Sequence, residues 1–154
     1  MDKTNNTGGV SPPGIPFNWT LTVTNTGVMD SVFYAGQRIL DDDLPTGPTY
    51  GAPAAGNLAD VTNGANISCS IANDTLTCEA TGANVTIGAA TGSFDVVLSV
   101  TPNASGVLTN PAGNCRVDPD GKVTESDEGN NNCPADSVDV TTRTVYLYLP
   151  LVER

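Results

Sequence analysis

Four cysteines constrain the fold of this chain more than any other feature, because each disulfide would join two separate segments covalently. Cys69 and Cys78 lie in two short segments of alternating apolar and polar residues, separated by a turn-forming stretch at residues 72–75. If these segments form a hairpin, Ile71 faces Leu76, and one step of two residues further back Cys69 faces Cys78. This arrangement suits a disulfide. The sequence therefore predicts an antiparallel hairpin closed by a Cys69–Cys78 bond.

The other two cysteines, Cys115 and Cys133, are predicted to pair by elimination. They close a polar loop of about 17 residues, which in the chain-entropy description stabilises the fold by about 3 kcal/mol. The alternative is a zinc site, but the chain has no Cys-x-x-Cys pair and no histidine, and structural zinc sites use such ligands at known spacings. Two disulfides imply an oxidising compartment. We therefore expect a secreted protein that is extracellular or at the cell surface.

Alternation of apolar and polar residues predicts β-strands along most of the chain. The clearest case is the segment from Phe17 to Thr24, in which Trp19 is expected to anchor the core and is a less favoured candidate for stacking on sugars. Further strands are predicted near residues 32–34, 38–42, 85–87, 93–100, 106–109 and 137–149. Helix is expected to be nearly absent. Short strands with turn signals between them predict one domain over residues 1–154, an all-β, immunoglobulin-like antiparallel β-sandwich with Greek-key links.

The charge of the chain bears on its partners. It carries 17 acidic and 6 basic residues, a formal net charge of −11, whereas nucleic acids and anionic membranes are bound through basic side chains. The longest apolar run, residues 145–152, contains Pro150 and is far shorter than the roughly 20 residues of a membrane-spanning helix. We expect neither nucleic-acid binding nor membrane insertion. The first residues also lack the pattern of a signal peptide, so we expect a segment of a larger protein.

Catalytic chemistry is not expected. The absence of histidine removes the usual general base and the Ser-His-Asp arrangement. Asp41, Asp42 and Asp43 form an acidic cluster, but alternation places Asp42 on the opposite face from the other two. A glycosidase would need a second acid across a cleft with aromatic walls, and aromatic residues make up only 5% of the chain. We interpret the cluster as a solvated strand end, and expect no enzyme, no catalytic residues and no cofactor other than calcium.

Calcium is considered because oxygen ligands are densest in residues 118–132. The candidate ligands are Asp118, Asp120, Glu125, Asp127 and Glu128, since hard cations prefer such oxygens. The stretch is not an EF-hand, because the fifth and sixth positions counted from Asp118 are Lys122 and Val123. Pro119-Asp120-Gly121 also matches an ordinary tight turn. A hairpin capped by its own side chains is therefore the favoured interpretation, and a calcium site is the alternative.

Two parts of the chain resemble bacterial surface repeats. Lys3-Thr4, residues 14–27 and residues 43–47 resemble the repeat known as the domain of unknown function numbered eleven. Val117-Asp118-Pro119-Asp120, Val123 and residues 125–131 look like the CARDB module, the cell-adhesion-related domain found in bacteria. Both resemblances imply immunoglobulin-like sandwiches in tandem outside the cell, with no catalytic residues to transfer. The four cysteines belong to neither pattern.

Lys3 raises a separate hypothesis, because some surface sandwiches crosslink a lysine of the first strand to an asparagine of the last strand through a buried acid. The last strand here offers Asp136 and Asp139 but no asparagine. A lysine near a chain terminus is usually solvated. A solvated side chain is therefore the favoured interpretation of Lys3.

These expectations converge on a function without catalysis. The sequence favours a structural or adhesion module of a larger bacterial cell-surface protein, which acts as a spacer or interaction domain. Its expected partners are neighbouring domains of the parent protein and a surface protein or glycan. The alternative is a calcium-dependent domain that binds glycan or protein.

Overall fold

The structure is a computed structural model and describes residues 1–125 and 127–142. Its regular elements are fifteen strands and two 3-10 turns, Gly64–Asn66 and Glu128–Asn131. The strands are β1 (Asp2–Asn5), β2 (Val10–Ser11), β3 (Phe17–Thr24), β4 (Ser31–Phe33), β5 (Arg38–Asp43), β6 (Thr49–Tyr50), β7 (Ala54–Ala59), β8 (Val61–Thr62), β9 (Ile67–Ala72), β10 (Thr75–Ala80), β11 (Val85–Ile87), β12 (Ser93–Thr101), β13 (Gly106–Asn110), β14 (Cys115–Val117) and β15 (Asp136–Val140). The expected scarcity of helix is confirmed for these residues. Of the last predicted strand, residues 143–149 lie outside the described part.

Two sheets form most of the architecture. The first has the order β1-β3-β12, with β6 and β7 both pairing with β12, and the second has the order β14-β5-β10-β9. Two three-stranded sheets, β4-β11-β8 and β13-β15-β2, complete the described residues. Of the pairings among these strands only β15 with β2 is parallel. The predicted all-β class is confirmed in this form, as a sandwich-like arrangement of mainly antiparallel sheets.

The core grows from the alternation that the sequence shows. Along β3 every second residue from Phe17 is buried, and along β12 every second residue from Phe94 is buried in the same way. Trp19 is completely buried, and its ring meets the ring of Phe17 edge to face, with centroids 5.4 Å apart. Leu98 lies directly across from Trp19 on β12. The prediction that Trp19 anchors the core is confirmed.

The first disulfide lies where the hairpin register predicts it. Ile71 faces Leu76 and Cys69 faces Cys78 across β9 and β10, and the Cα atoms of the two cysteines are 4.1 Å apart. The turn is tighter than the four-residue loop expected, because Asn73–Asp74 alone connects the strands, with φ angles of 51° and 60°. Positive φ at both central residues is the signature of a type I′ turn, whose twist matches that of the strands.

The second disulfide, between Cys115 and Cys133, also forms as predicted, with Cα atoms 5.5 Å apart. The backbone N–H of Cys133 donates to the carbonyl oxygen of Cys115, and Arg116 pairs with Asn132 beside it. This bond fastens the returning end of residues 118–132, which we call the acidic loop, to β14. Two disulfides indicate an oxidising environment of the extracellular type. None of the described helical turns has the length and apolar character that a membrane-spanning helix needs.

An irregularity in β5 decides which of its side chains enter the core. Cys78 of β10 pairs with Leu40, but the next residue, Glu79, pairs with Arg38, so that Ile39 is an extra residue in the strand. Ile39 and Leu40 are both completely buried. Such a bulge re-aims the side chains on one side of it.

Asp42 lies on the inward face, in phase with Leu40 and directly across from the buried Leu76 of β10. It is completely buried, whereas Asp41 is half-buried and Asp43 is exposed. The sequence correctly separated Asp42 from its two neighbours. The interpretation of all three as a solvated strand end is wrong for Asp42, because alternation defines two faces without saying which one meets the core.

Candidate functional site

The acidic loop begins with a side chain that is used structurally. Asp118 is buried, and its two carboxylate oxygens accept hydrogen bonds from the backbone N–H groups of Lys122 and Val123, each at 2.8 Å. The N–H of Gly121 donates to the carbonyl oxygen of Asp118 at 3.0 Å. The predicted turn at Pro119-Asp120-Gly121 is therefore present, and the side chain of Asp118 stabilises it from within.

Asp120 is held by an arginine of a different strand. Both of its oxygens accept from Arg38 of β5, one from Nε at 3.0 Å and the other from Nη2. Arg38 also donates to Asp41 at 2.5 Å. The hydrogen bond from Arg38 lowers the pKa of the Asp120 carboxyl group. The turn is thus fixed against β5 by a forked, charge-assisted contact.

The remaining candidate ligands lie around the second 3-10 turn. Asp127 caps it by accepting from the N–H of Gly129 at 2.9 Å, and Glu128 accepts from the amide of Asn131 at 3.1 Å. Glu125 is half-buried, and burial raises the pKa of its carboxyl group, with the negative charges of Glu128, Asp118 and Asp127 acting in the same direction.

These contacts bear on the calcium hypothesis. Asp118, Asp120, Asp127 and Glu128 already accept hydrogen bonds from protein donors. In residues 1–125 and 127–142, no group of three or more acidic or cysteine side chains is arranged to hold a metal ion. The calcium assignment stays a prediction, and binding would require some of these oxygens to exchange their partners.

A cleft of about 520 Å³ opens beside the acidic loop. Its lining includes Glu125 and Asp127 as well as the segment from Asn25 to Ser31. In that segment Val28 is 94% exposed and Met29 is 77% exposed. The cleft therefore combines acidic and apolar surface, which is the composition expected of a recognition site.

The second unusual place in the molecule is a group of polar side chains buried between the sheets. The side chains of Lys3 and Asp42 are completely buried, and Nζ of Lys3 lies 3.5 Å from Oδ1 of Asp42. The other oxygen of Asp42, Oδ2, accepts from Nδ2 of Asn110 at 2.7 Å. Nζ of Lys3 also lies 3.5 Å from the carbonyl oxygen of Pro111. We call Lys3, Asp42 and Asn110 the buried triad.

The triad corrects the interpretation of Lys3 as a solvated residue, which is wrong. Lys3 pairs with Leu21 in the register of β1 with β3, and directly opposed residues share a face of the sheet. Since Leu21 is in the core, the lysine must enter it too. The expected partners on the last strand do not supply the contact, because Asp136 accepts from Trp19 and Asn5 and Asp139 is exposed.

Burial changes the protonation of the triad. Loss of solvation lowers the pKa of Lys3 and raises the pKa of Asp42. The attraction between the two groups opposes both shifts but is the smaller influence. The environment therefore favours a neutral amine beside a neutral carboxylic acid more strongly than water does.

Asn110 is the member of the triad that sequence reasoning missed. It is completely buried, and its Oδ1 atom has no hydrogen-bond partner, which costs about 1–3 kcal/mol for a buried acceptor. The sequence signal that could have found it is its position two residues after Leu108, because alternation along a strand places both residues on the same face. That strand was expected to end at Thr109, one residue before Asn110.

The chain matches no known protein-family profile, no curated protein and no solved structure.

Proposed function

We propose that this chain is a non-enzymatic structural module of a larger bacterial cell-surface protein, an immunoglobulin-like Greek-key sandwich that acts as a spacer or adhesion domain outside the cell. The observation that carries the proposal is the closed core between the two large sheets. Two disulfides beside it close the β9–β10 hairpin and fasten the loop that returns to β14, and the carboxylate of Asp42 within it contacts Lys3 and Asn110. Such a core suits a domain that must stay folded while it holds other domains away from the cell surface.

The strand order supports the immunoglobulin-like assignment. The first sheet contains β1, β3, β12 and β7 side by side, and β5, which lies between β3 and β7 in the chain, belongs to the opposite sheet. An immunoglobulin sandwich likewise places its third strand opposite the sheet that holds its first, second, fourth and fifth strands, although here β9 and β10 of the second sheet come between β7 and β12 in the chain. Greek-key connections between the sheets belong to this proposal.

The compartment can be tested by production in two environments. Exported to an oxidising compartment, the chain should accumulate without free thiols and resist protease. Made in a reducing cytoplasm, it should carry four free thiols and be degraded faster. Equal accumulation of fully folded, thiol-containing protein in both environments would argue against an extracellular module.

The spacer role can be tested by display on a bacterial surface. A reporter epitope carried on three tandem copies should be more accessible to an antibody than the same epitope on one copy. Replacing the copies with an unrelated immunoglobulin-like domain of equal length is the matched control. Equal accessibility with the control supports a spacer, and binding to host cells or a glycan array that the control lacks supports adhesion. A result in which the tandem copies neither extend the epitope nor bind to cells or glycans would contradict the proposal.

The second candidate, calcium-dependent recognition of glycan or protein, is favoured by the cleft beside the acidic loop. Its first test is calorimetry and thermal unfolding with calcium chloride, compared with magnesium chloride at the same ionic strength. Binding heat and a raised melting temperature specific to calcium support it. The double variant Glu125→Gln/Asp127→Asn should then lose the effect, whereas Asp139→Asn on an exposed strand position should keep it. No heat and no change in melting temperature would remove this candidate.

A further inference from the structure

We propose that Lys3 and Asn110 join to each other through an intramolecular amide bond between their side chains, with Asp42 as the acid–base group that promotes the reaction. Such a bond is a covalent modification that would join β1 of the first large sheet to β13. Asp42, which contacts both residues, belongs to β5 of the second large sheet. The proposal does not depend on whether the module is a spacer.

The contacts place the lysine amine and the asparagine amide on the two oxygens of one carboxyl group, that of Asp42. Oδ1 of Asp42 faces the lysine nitrogen at 3.5 Å, and Oδ2 of Asp42 faces the asparagine amide at 2.7 Å. All three side chains belong to residues that are at most 3% exposed. A buried site excludes the water that would otherwise solvate the amine and compete for the amide carbon. Proximity of this kind replaces a bimolecular encounter with a reaction inside the fold.

The charges of the site favour the reactive forms. An amine is nucleophilic only without its proton, and desolvation lowers the pKa of Lys3. A carboxyl group can donate a proton only when it holds one, and desolvation raises the pKa of Asp42. Transfer of one proton from the lysine to the aspartate produces both forms at once and leaves the net charge of the site unchanged.

The unpartnered Oδ1 of Asn110 fits the role of an electrophile. Half a turn of the amide about its last bond exchanges Oδ1 and Nδ2, and the protonated Asp42 then donates to Oδ1. This hydrogen bond draws electrons from the amide carbon, Cγ, and stabilises the oxygen as negative charge develops on it. Oδ1 of Asn110, which accepts no hydrogen bond in the structure, thus gains a hydrogen bond from Asp42 during the reaction.

The reaction balances without any other reagent. Nζ of Lys3 attacks Cγ of Asn110 and forms the new C–N bond, and the Cγ–Nδ2 bond breaks. Asp42 takes a proton from the attacking nitrogen and delivers a proton to Nδ2, which leaves as ammonia. No electron is gained or lost, and Asp42 ends the reaction as it began.

The decisive experiment is the intact mass of the full chain after its disulfides are reduced. The mass should be lower than that of the sequence by one ammonia. An unchanged mass would overturn the proposal. Loss of one water would also overturn it, because that result would place the lysine on a carboxyl group such as Asp42 or Asp136.

Peptide mapping distinguishes the bond from another loss of ammonia, cyclisation at Asn63-Gly64. Trypsin cannot cleave after a modified Lys3, so residues 1–38 should remain covalently joined to residues 39–116 after reduction. Cyclisation at Asn63 would leave these two peptides separate, and finding them separate would contradict the proposal.

Variants test the roles of the individual groups. Lys3→Met should restore the full mass, whereas Lys122→Met, at an exposed lysine, should keep the deficit. Asp42→Asn should restore the full mass while circular dichroism shows that the sheets remain, and full crosslinking in this variant would overturn the role of Asp42. If Asp42→Asn does not fold, Asp42→Ser repeats the test with a smaller hydrogen-bonding side chain. The mass and the peptide map of the unaltered chain decide whether the bond exists in either case.

Discussion

At the scale of single residues, the indole of Trp19 shows how one polar atom is satisfied inside an apolar core. Its Nε1 donates to Oδ2 of Asp136 at 2.7 Å, and the same carboxylate accepts from the amide of Asn5. Buried indole N–H groups need such partners. The contact holds β15 against the centre of β3. Alternation along β3 predicts that Trp19 packs in the apolar core, but it does not predict this hydrogen bond.

Asp136→Ala should lower the free energy of unfolding by about 1–3 kcal/mol, because it leaves the buried N–H of Trp19 without an acceptor. Chemical denaturation followed by tryptophan fluorescence measures the change. Asp139→Ala is the matched control, since Asp139 is exposed on the same strand, and it should change stability by less than about 0.5 kcal/mol. Equal effects of the two substitutions would show that the hydrogen bond contributes nothing.

Tyr50 gives the protein a dependence on alkaline pH. Its hydroxyl donates to the carbonyl oxygen of Pro45, and burial is the main cause that raises the pKa of its phenol in the folded state. In the unfolded chain the phenol loses its proton near pH 10, as model tyrosines do. The folded state therefore retains a proton that the unfolded state releases, and stability should fall as the pH rises above about 10.

Tyr50→Phe should reduce this loss of stability at alkaline pH. The measurement is the free energy of unfolding between about pH 8 and about pH 11, a range that includes the ordinary phenol pKa of about 10. Tyr34→Phe serves as the control because Tyr34 is 60% exposed, and it should leave the alkaline slope in place. An unchanged slope in Tyr50→Phe would assign the effect to other groups.

At the scale of elements, the turn between β11 and β12 contains a residue in an unfavourable conformation. Ala90 has a φ of 66°, and unlike Asn73 or Asp74 it has no polar side chain to compensate for the left-handed backbone. Its N–H donates to the carbonyl oxygen of Gly27 at 2.7 Å. The tertiary contact holds the turn in a shape that alanine does not prefer.

Ala90→Gly should raise the melting temperature, in keeping with a gain of about 1 kcal/mol from relief of the positive φ. Ala89→Gly is the matched control at the preceding position, and it should lower stability because it only adds freedom to the unfolded chain. Calorimetric scans of the two variants check the opposite signs. A loss of stability in both variants would contradict the account of Ala90.

Sequence reasoning at this scale worked where the pattern was local. The hairpin register of Cys69 and Cys78 followed from counting residues on both sides of a turn, and Phe17–Thr24 followed from strict alternation. Strands β1 and β7 were not predicted, because they are peripheral strands that alternate weakly. β7, Ala54–Ala59, remains largely exposed and owes its conformation to pairing with β12.

At the scale of the whole molecule, the net charge of −11 destabilises the compact state through repulsion between like charges. Raising sodium chloride from about 10 mM to about 150 mM shortens the screening length from about 30 Å to about 8 Å. The melting temperature should therefore rise with sodium chloride.

Potassium chloride should reproduce the effect of sodium chloride, because screening depends on ionic strength and not on the identity of the cation. Thermal unfolding in a salt series measures it. A melting temperature that is flat or falls with salt would show that local ion pairs, such as Arg38 with Asp120, outweigh the general repulsion.

The sequence by itself determined the all-β fold class, the two disulfide pairs and the residues that alternate along the longest strands, because all of these depend on spacing over a few residues or on counting cysteines. Only the tertiary structure decided which face of β5 is buried, since pairing with β10 places Leu40 and Asp42 across from the buried Cys78 and Leu76. It also brought together Lys3, Asp42 and Asn110, which lie on three different sheets. Residues so far apart in the chain meet only when the sheets pack, and no local pattern records that contact.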